Sequence, residues 1–207
     1  YHFDGTCKDG SSFYGDGEFY IYDIAASISS SPSARSVKLG TSSTFSVSVS
    51  KGSHLSYQWG YNYDGSTSTW HLIDGATSSS YTISASDMTA SCNGRYYFCR
   101  VSNYGNDNVF STPAKLTVYS TISYNSNGGM GAPSSVNKNC DTSVTISSQK
   151  PTREGYEFLG WSTSSVATSA NSSYAPGSTY NTNANLSLYA VWKQVNNATP
   201  SPVVTSA

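Results

Sequence analysis

Polar and apolar residues alternate along this chain in short runs, and the period is two. Thr44-Phe45-Ser46-Val47-Ser48-Val49-Ser50 alternates strictly. So do Tyr81-Thr82-Ile83, Lys115-Leu116-Thr117-Val118-Tyr119, Ser143-Val144-Thr145-Ile146 and Leu186-Ser187-Leu188-Tyr189-Ala190-Val191-Trp192. This is the pattern of half-buried β-strands. No segment sustains a 3.6-residue period; Ser84 to Ala90 offers one or two helical turns at most. Between the runs lie Asp-Gly at Asp4-Gly5, Asp9-Gly10, Asp16-Gly17, Asp64-Gly65 and Asp74-Gly75, and Asn-Gly at Asn93-Gly94 and Asn127-Gly128. Such dipeptides tolerate the positive φ of tight turns. The pattern predicts a mostly β protein.

The runs divide into segments. Residues 1–23 hold Asp-Gly turns and one aromatic strand, Glu18 to Tyr22, and are too short to fold alone; they read as a β segment that could end a preceding domain. Residues 24–119 carry strand signals at the spacing of a β-sandwich. Residues 120–193 form a second unit, and 194–207 is a Ser/Thr/Pro/Ala linker or tail. No start Met or signal peptide opens the chain, which reads as an excised piece of a longer protein with tandem neighbours.

Composition sharpens this picture. Charged residues are 11% of the 207 and the formal net charge is −1, so a basic nucleic-acid surface is not expected. No stretch approaches the ~20 apolar residues of a membrane span, so membrane insertion is not expected either. The 17 Tyr and 4 Trp must supply much of the buried area, which implies small aromatic cores.

In the middle segment, Tyr57-Gln58-Trp59 follows the Val47 strand, and Tyr97-Phe98-Cys99 lies on a later aromatic strand. A Trp packing near a Cys two strands on, with a Tyr two residues before that Cys, is the immunoglobulin pattern. Leu55–Trp59, Trp70–Ile83 and Tyr97–Asn103 together resemble a bacterial Ig-like domain. The resemblance implies an Ig-like β-sandwich, with the Tyr97 hydroxyl bonding backbone as a tyrosine corner. The family's first cysteine would fall near Val47, which cannot bridge. Cys99 is then a buried thiol or is paired elsewhere. A bridge between Cys92 and Cys7 is the other open reading; closing a loop of ~85 residues would stabilise by roughly 4–5 kcal/mol and would hold residues 1–23 in place. Cys140 is left unpaired, with no assigned role.

The second unit opens on Asn127-Gly128-Gly129, continues with Gly155-Tyr156-Glu157-Phe158-Leu159-Gly160-Trp161 and closes on Leu188-Tyr189-Ala190-Val191-Trp192. In order and span these motifs resemble the internalin B-repeat, also called the Listeria–Bacteroides repeat. The resemblance implies a small β-grasp-like domain of bacterial cell-surface proteins, extracellular or associated with the cell wall. Independently of it, Tyr156, Phe158, Trp161, Leu188 and Trp192 are the residues able to build a core in so short a unit.

Candidate chemistry is sparse. The four cysteines have no metal spacing, and His54 and His71 stand apart from any nucleophile motif. Asp9, Asp16 and Glu18, and separately Asn62, Asp64 and Ser66, fit turns better than a calcium loop. The sequons at Asn171, Asn185 and Asn197 are frequent by chance in a chain of this composition. No catalytic, cofactor-binding or metal-ligating residues are expected. Binding remains, and its best candidates are Tyr61 and Tyr63 beside Asp64-Gly65, and Tyr104 and Asn106 in the loop after the Cys99 strand. The reading is a non-enzymatic region of a bacterial secreted or cell-surface protein. It would serve adhesion or the presentation of other domains, with host protein or glycan as partner. The alternatives are a dedicated binder of host glycoprotein, immunoglobulin or polysaccharide, and an accessory region of a secreted carbohydrate-active enzyme.

Overall fold

The computed structural model describes residues 2–6, 12–16, 24–103 and 108–195, the first two ranges as backbone alone. Cys7, Tyr104, Asn106, the Glu18–Tyr22 strand and the tail beyond 195 lie outside these residues. Strands β1 (His2–Thr6) and β2 (Ser12–Asp16) pair as an antiparallel hairpin. Asp4-Gly5, expected as a turn, lies inside that ladder, with Asp4 opposite Tyr14 and Gly5 opposite Phe13.

The next ten strands build two facing layers: β3 (Ser27–Ser30), β4 (Arg35–Lys38), β5 (Ser43–Ser46), β6 (Ser48–Lys51), β7 (Ser56–Asn62), β8 (His71–Leu72), β9 (Ser80–Ile83), β10 (Tyr96–Ser102), β11 (Asn108–Phe110) and β12 (Ala114–Asn125). In one layer β3 pairs β6 and β5 pairs β9. In the other, β12, β10, β7 and β8 follow one another antiparallel, β11 pairs β10, and β4 joins β12 in parallel. This is an Ig-like sandwich. The alternating run Thr44–Ser50 supplies both β5 and β6, with Phe45 and Val47 inward. Phe45 stacks on Tyr97 at 4.9 Å between ring centroids, and the core continues through Trp59, Cys99, Val101, Leu116 and Val118. Val47 and Cys99 share this core, so apolar packing stands where the family's disulfide would be. Trp59 is fully buried with its Nε1 donating to Ser78 O. The expected helix at Ser84–Ala90 is a single turn, capped by the Ser84 hydroxyl accepting from Asp87 N and closed by Met88 N donating to Ser84 O. It leads to one 3-10 turn, Ala90–Cys92.

The second unit shares β12 with the first. β12 pairs antiparallel with β13 (Val136–Asn139) and parallel with β17 (Leu186–Gln194), and β15 (Tyr156–Ser162) pairs antiparallel with β17. The order β13-β12-β17-β15, with two parallel strands at its centre, is β-grasp-like. Two short strands, β14 (Val144–Thr145) and β16 (Thr179–Tyr180), form a separate pair, and among the described residues no α-helix crosses the sheet. Trp161 fills the core against Tyr124 and Phe158, each at 5.1 Å. The glycines of the motifs have steric causes. Asn127 and Gly128 both take positive φ, and Gly129 N closes the turn onto Ser126 O. A side chain at Gly129 would meet Trp192, whose Nε1 donates to Ser126 O and Asn127 O. Gly160, at φ +136°, sits at the bulge between β15 and β17 and leaves no room beside Ala170.

Gly60 in β7 is held small by packing rather than by φ. A Cβ there would lie 2.2 Å from the Trp70 ring and 2.7 Å from the backbone oxygen of His71. Gly60→Ala is therefore expected to destabilise the Ig-like unit by about 1–3 kcal/mol in denaturant unfolding. A cost below about 0.5 kcal/mol would show that Trp70 does not close over β7 as described.

Candidate functional site

An aromatic cluster forms at the surface where β7 leaves the sheet. Strand alternation turns Trp59 and Tyr61 inward, and the β7–β8 register sets Tyr61 opposite His71. The Tyr61 ring lies 5.2 Å from His71 and 5.7 Å from Tyr97. Tyr63 meets it edge-on at 6.0 Å. The Arg95 guanidinium covers Tyr61 at 4.1 Å, and Arg95 Nε donates to the Tyr63 hydroxyl over 3.3 Å. Tyr63 remains 57% exposed. The corner thus presents a solvent-facing phenol backed by a guanidinium and an exposed imidazole. An aromatic face beside N–H donors can stack on a sugar ring or grip a carboxylate.

The structure brings Tyr61 and Tyr63 together; Tyr104 and Asn106 lie outside the described residues. Asn62 pairs with Tyr96 at one end of the β7–β10 ladder, and Ser56 with Ser102 at the other. Six residues of strand, roughly 20 Å, separate the 61–63 corner from the point where the chain leaves Ser102. Ser102 therefore stands at the opposite end of the β7–β10 ladder from the 61–63 corner. The oxygen cluster Asn62, Asp64 and Ser66 is spent on its own turn: Asn62 Nδ2 donates to Ser66 O and Thr69 O, its Oδ1 accepts from Gly65 N, and Asp64 Oδ1 accepts from Ser66 N. Trp70 folds back over the outer face, stacked on Phe98 at 5.5 Å and edge-on to Phe110 at 5.7 Å.

The thiols are buried. Burial pushes Cys99 up to about 11 and raises Cys140, so both are protonated at neutral pH. Cys92 is a thiol donating to Asp87 O over 3.3 Å; its expected partner Cys7 lies outside the described residues. Burial likewise raises Tyr97 well above the ordinary phenol range. The Arg95 side chain opposes that rise. A shallow recess of about 190 Å³ lies beside β9, lined by Asp74, Thr77, Ser78, Ser80, Tyr81 and Thr82 among others.

A polar network that sequence reasoning missed lies at the junction of the two units. Asn93 Nδ2 donates to Cys140 O and to Asp141 Oδ2, each at 3.1 Å. Asn183 Nδ2 donates to Asp141 Oδ1 at 2.8 Å, and Asn183 Oδ1 accepts from Asp141 N and from Lys138 Nζ. Lys138 is 2% exposed, and its Nζ also donates to Asn139 O and Thr142 O, giving three acceptors for three N–H bonds. Asn93 could be seen in the sequence only as half of an Asn-Gly turn, because its partners are 47 and 48 residues away.

Hydrogen bonds from Asn93 and Asn183 hold the Asp141 carboxyl below its ordinary value. A depressed carboxylate contributes stability above its unfolded pKa of about 3.9 and loses it as the pH falls through the folded value. Stability measured from about pH 6 to about pH 2 should therefore fall less steeply below about pH 4 in Asp141→Asn than in the unmodified chain. Superimposable acid limbs would contradict this assignment.

Residues 121–191 match the Listeria-Bacteroides repeat domain family. Domains of this family occur in bacterial surface proteins. No match to a curated protein was found. Among solved structures, the chain is similar to Sidekick-1 immunoglobulin domains 1–5 at 12% identity and a TM-score of 0.40, over 82% of this chain and 38% of that one. It is also similar to a tandem pair of titin Ig domains at 15% identity and a TM-score of 0.36, over 67% of this chain and 77% of that one. The chain thus spans 38% of the length of the Sidekick-1 structure.

Proposed function

We propose, from a Listeria-Bacteroides repeat domain over residues 121–191 joined to an Ig-like sandwich, that this is a non-enzymatic region of a bacterial secreted or cell-surface protein. It acts outside the cell, in adhesion or in presenting neighbouring domains. Ig-like domains and repeat domains of this kind are typically non-catalytic. The observation that carries the reading is the shared strand β12, which enters both sheets and makes the pair a spacer of defined geometry. Among the described residues no group of three or more His, Cys, Asp or Glu could hold a metal ion, and no helix is long and apolar enough to cross a membrane. Antibodies raised against the chain should label intact cells of the source bacterium or its culture medium. Signal confined to lysed cells would remove the extracellular reading.

A second reading, a dedicated binder of host glycoprotein or polysaccharide, is favoured by one observation. Tyr63 stands 57% exposed, its hydroxyl held by Arg95 and its ring edge-on to Tyr61, so that a phenol is presented to solvent in a fixed orientation. On a glycan and host-protein array, this reading expects a saturable partner for the full chain. Tyr63→Ala should weaken that partner at least tenfold with the thermal midpoint unchanged, as for an exposed aromatic hot spot. Equal affinity of the two chains would leave the corner without a binding role.

A further inference from the structure

The two cores meet on β12, and the joint is closed by one asparagine on each edge. On the first edge, the ladder to β10 ends with Leu116: Leu116 N donates to Arg95 O and Gly94 N to Leu116 O. The ladder to β13 takes over where Cys140 N donates to Val118 O, with Tyr119 opposite Asn139. Between them the Val118 N–H faces a gap, and Asn93 Oδ1 accepts it at 2.9 Å. The same side chain reaches Cys140 O and Asp141 across the gap.

The second edge repeats the device. There β4 ends with Leu39 N donating to Tyr119 O, and β17 begins with Leu186 opposite Ile122. Thr121 N and Leu39 O are left between them. Asn185 Oδ1 accepts from Thr121 N at 3.0 Å, and Asn185 Nδ2 donates to Leu39 O at 3.3 Å. Each position needs one acceptor and one donor on the same planar group, which an amide supplies and a carboxylate does not. The apolar packing crosses the joint as well. Cys140, from the turn after β13, is buried in the Ig-like core with Val118 and Leu116.

We propose that Asn93 and Asn185 are the coupling residues of this joint, and that through them the Ig-like and repeat units fold and unfold as one cooperative body. The Ig-like core is incomplete without Cys140, and each asparagine ties backbone of one unit to backbone of the other through β12. This inference stands apart from the functional reading, since it concerns the joint whatever the chain binds.

The experiment uses the full chain, with denaturant unfolding followed by hydrogen-exchange mass spectrometry so that peptides of residues 24–119 and 120–195 report separately. A core substitution in one unit, Phe45→Leu, should lower the midpoint of both sets of peptides by the same amount. In a chain carrying Asn93→Asp and Asn185→Asp, Phe45→Leu should lower the midpoint of the 24–119 peptides alone. If the double variant does not fold, Asn185→Asp alone, at an exposed position, is used and should separate the two midpoints. A repeat unit whose midpoint ignores Phe45→Leu in the otherwise unaltered chain would overturn the proposal. So would units that still move together when the asparagines are replaced.

Discussion

Twelve consecutive residues of β12, hydrogen-bonded on both edges, hold this molecule together. Ala114, Leu116, Val118, Ser120 and Ile122 are all buried and, by strand alternation, share one face of the strand. The first three belong to the Ig-like core and Ile122 to the repeat core. An unbroken period of two therefore threads both cores. A one-residue slip between the units would turn one of these cores to solvent, so the register of one unit fixes that of the other. A flexible connector would have left each unit free to choose its own orientation.

The surface features follow from this axis. The Tyr61–Tyr63–Arg95 corner belongs to the start of β10, whose residues Tyr96 and Tyr97 pair with Lys115 and Ala114. β12 then runs on from this end into the repeat. The exposed phenol of Tyr63 thus sits at the joined end of the sandwich, hydrogen-bonded to Arg95, which is two residues from Asn93, and Ser102 stands at the other end of the ladder. A partner approaching the corner also approaches the joint. Buried thiols and a fully satisfied Lys138 belong to a packed interior, in which Trp161 Nε1 is a buried donor without a hydrogen-bond partner among the described residues.

Much of the architecture could be read along the chain, for identifiable reasons. Strict alternation at Thr44–Ser50 and Leu186–Trp192 marks strands because one face is buried and the other wet. The Gly155–Trp161 and Leu188–Trp192 motifs were legible because steric needs, the bulge at Gly160 and the close approach at Gly129, fix residue types locally. The division between residues 119 and 120 falls inside β12: it separates the two cores but not the two ladders. Ser120 is polar yet fully buried, and a polar residue at an inward position gives no sign that a strand continues. Of the expected binding residues, Tyr61 and Tyr63 came together because they flank one strand end. The roles of Asn93, Asn183 and Asn185 were invisible because an asparagine bonding backbone far away has the same letter as one in a turn. Cys140 had no expected role for a similar reason, since the core it enters belongs to the other unit.

The central claim is that the two units keep one fixed orientation in solution. Backbone N–H residual dipolar couplings of the weakly aligned full chain address it most directly. Alignment tensors fitted separately to residues 24–119 and 120–195 should agree in magnitude and direction when referred to this structure. Tensors of unequal magnitude would mean that the units reorient independently, and would contradict the account.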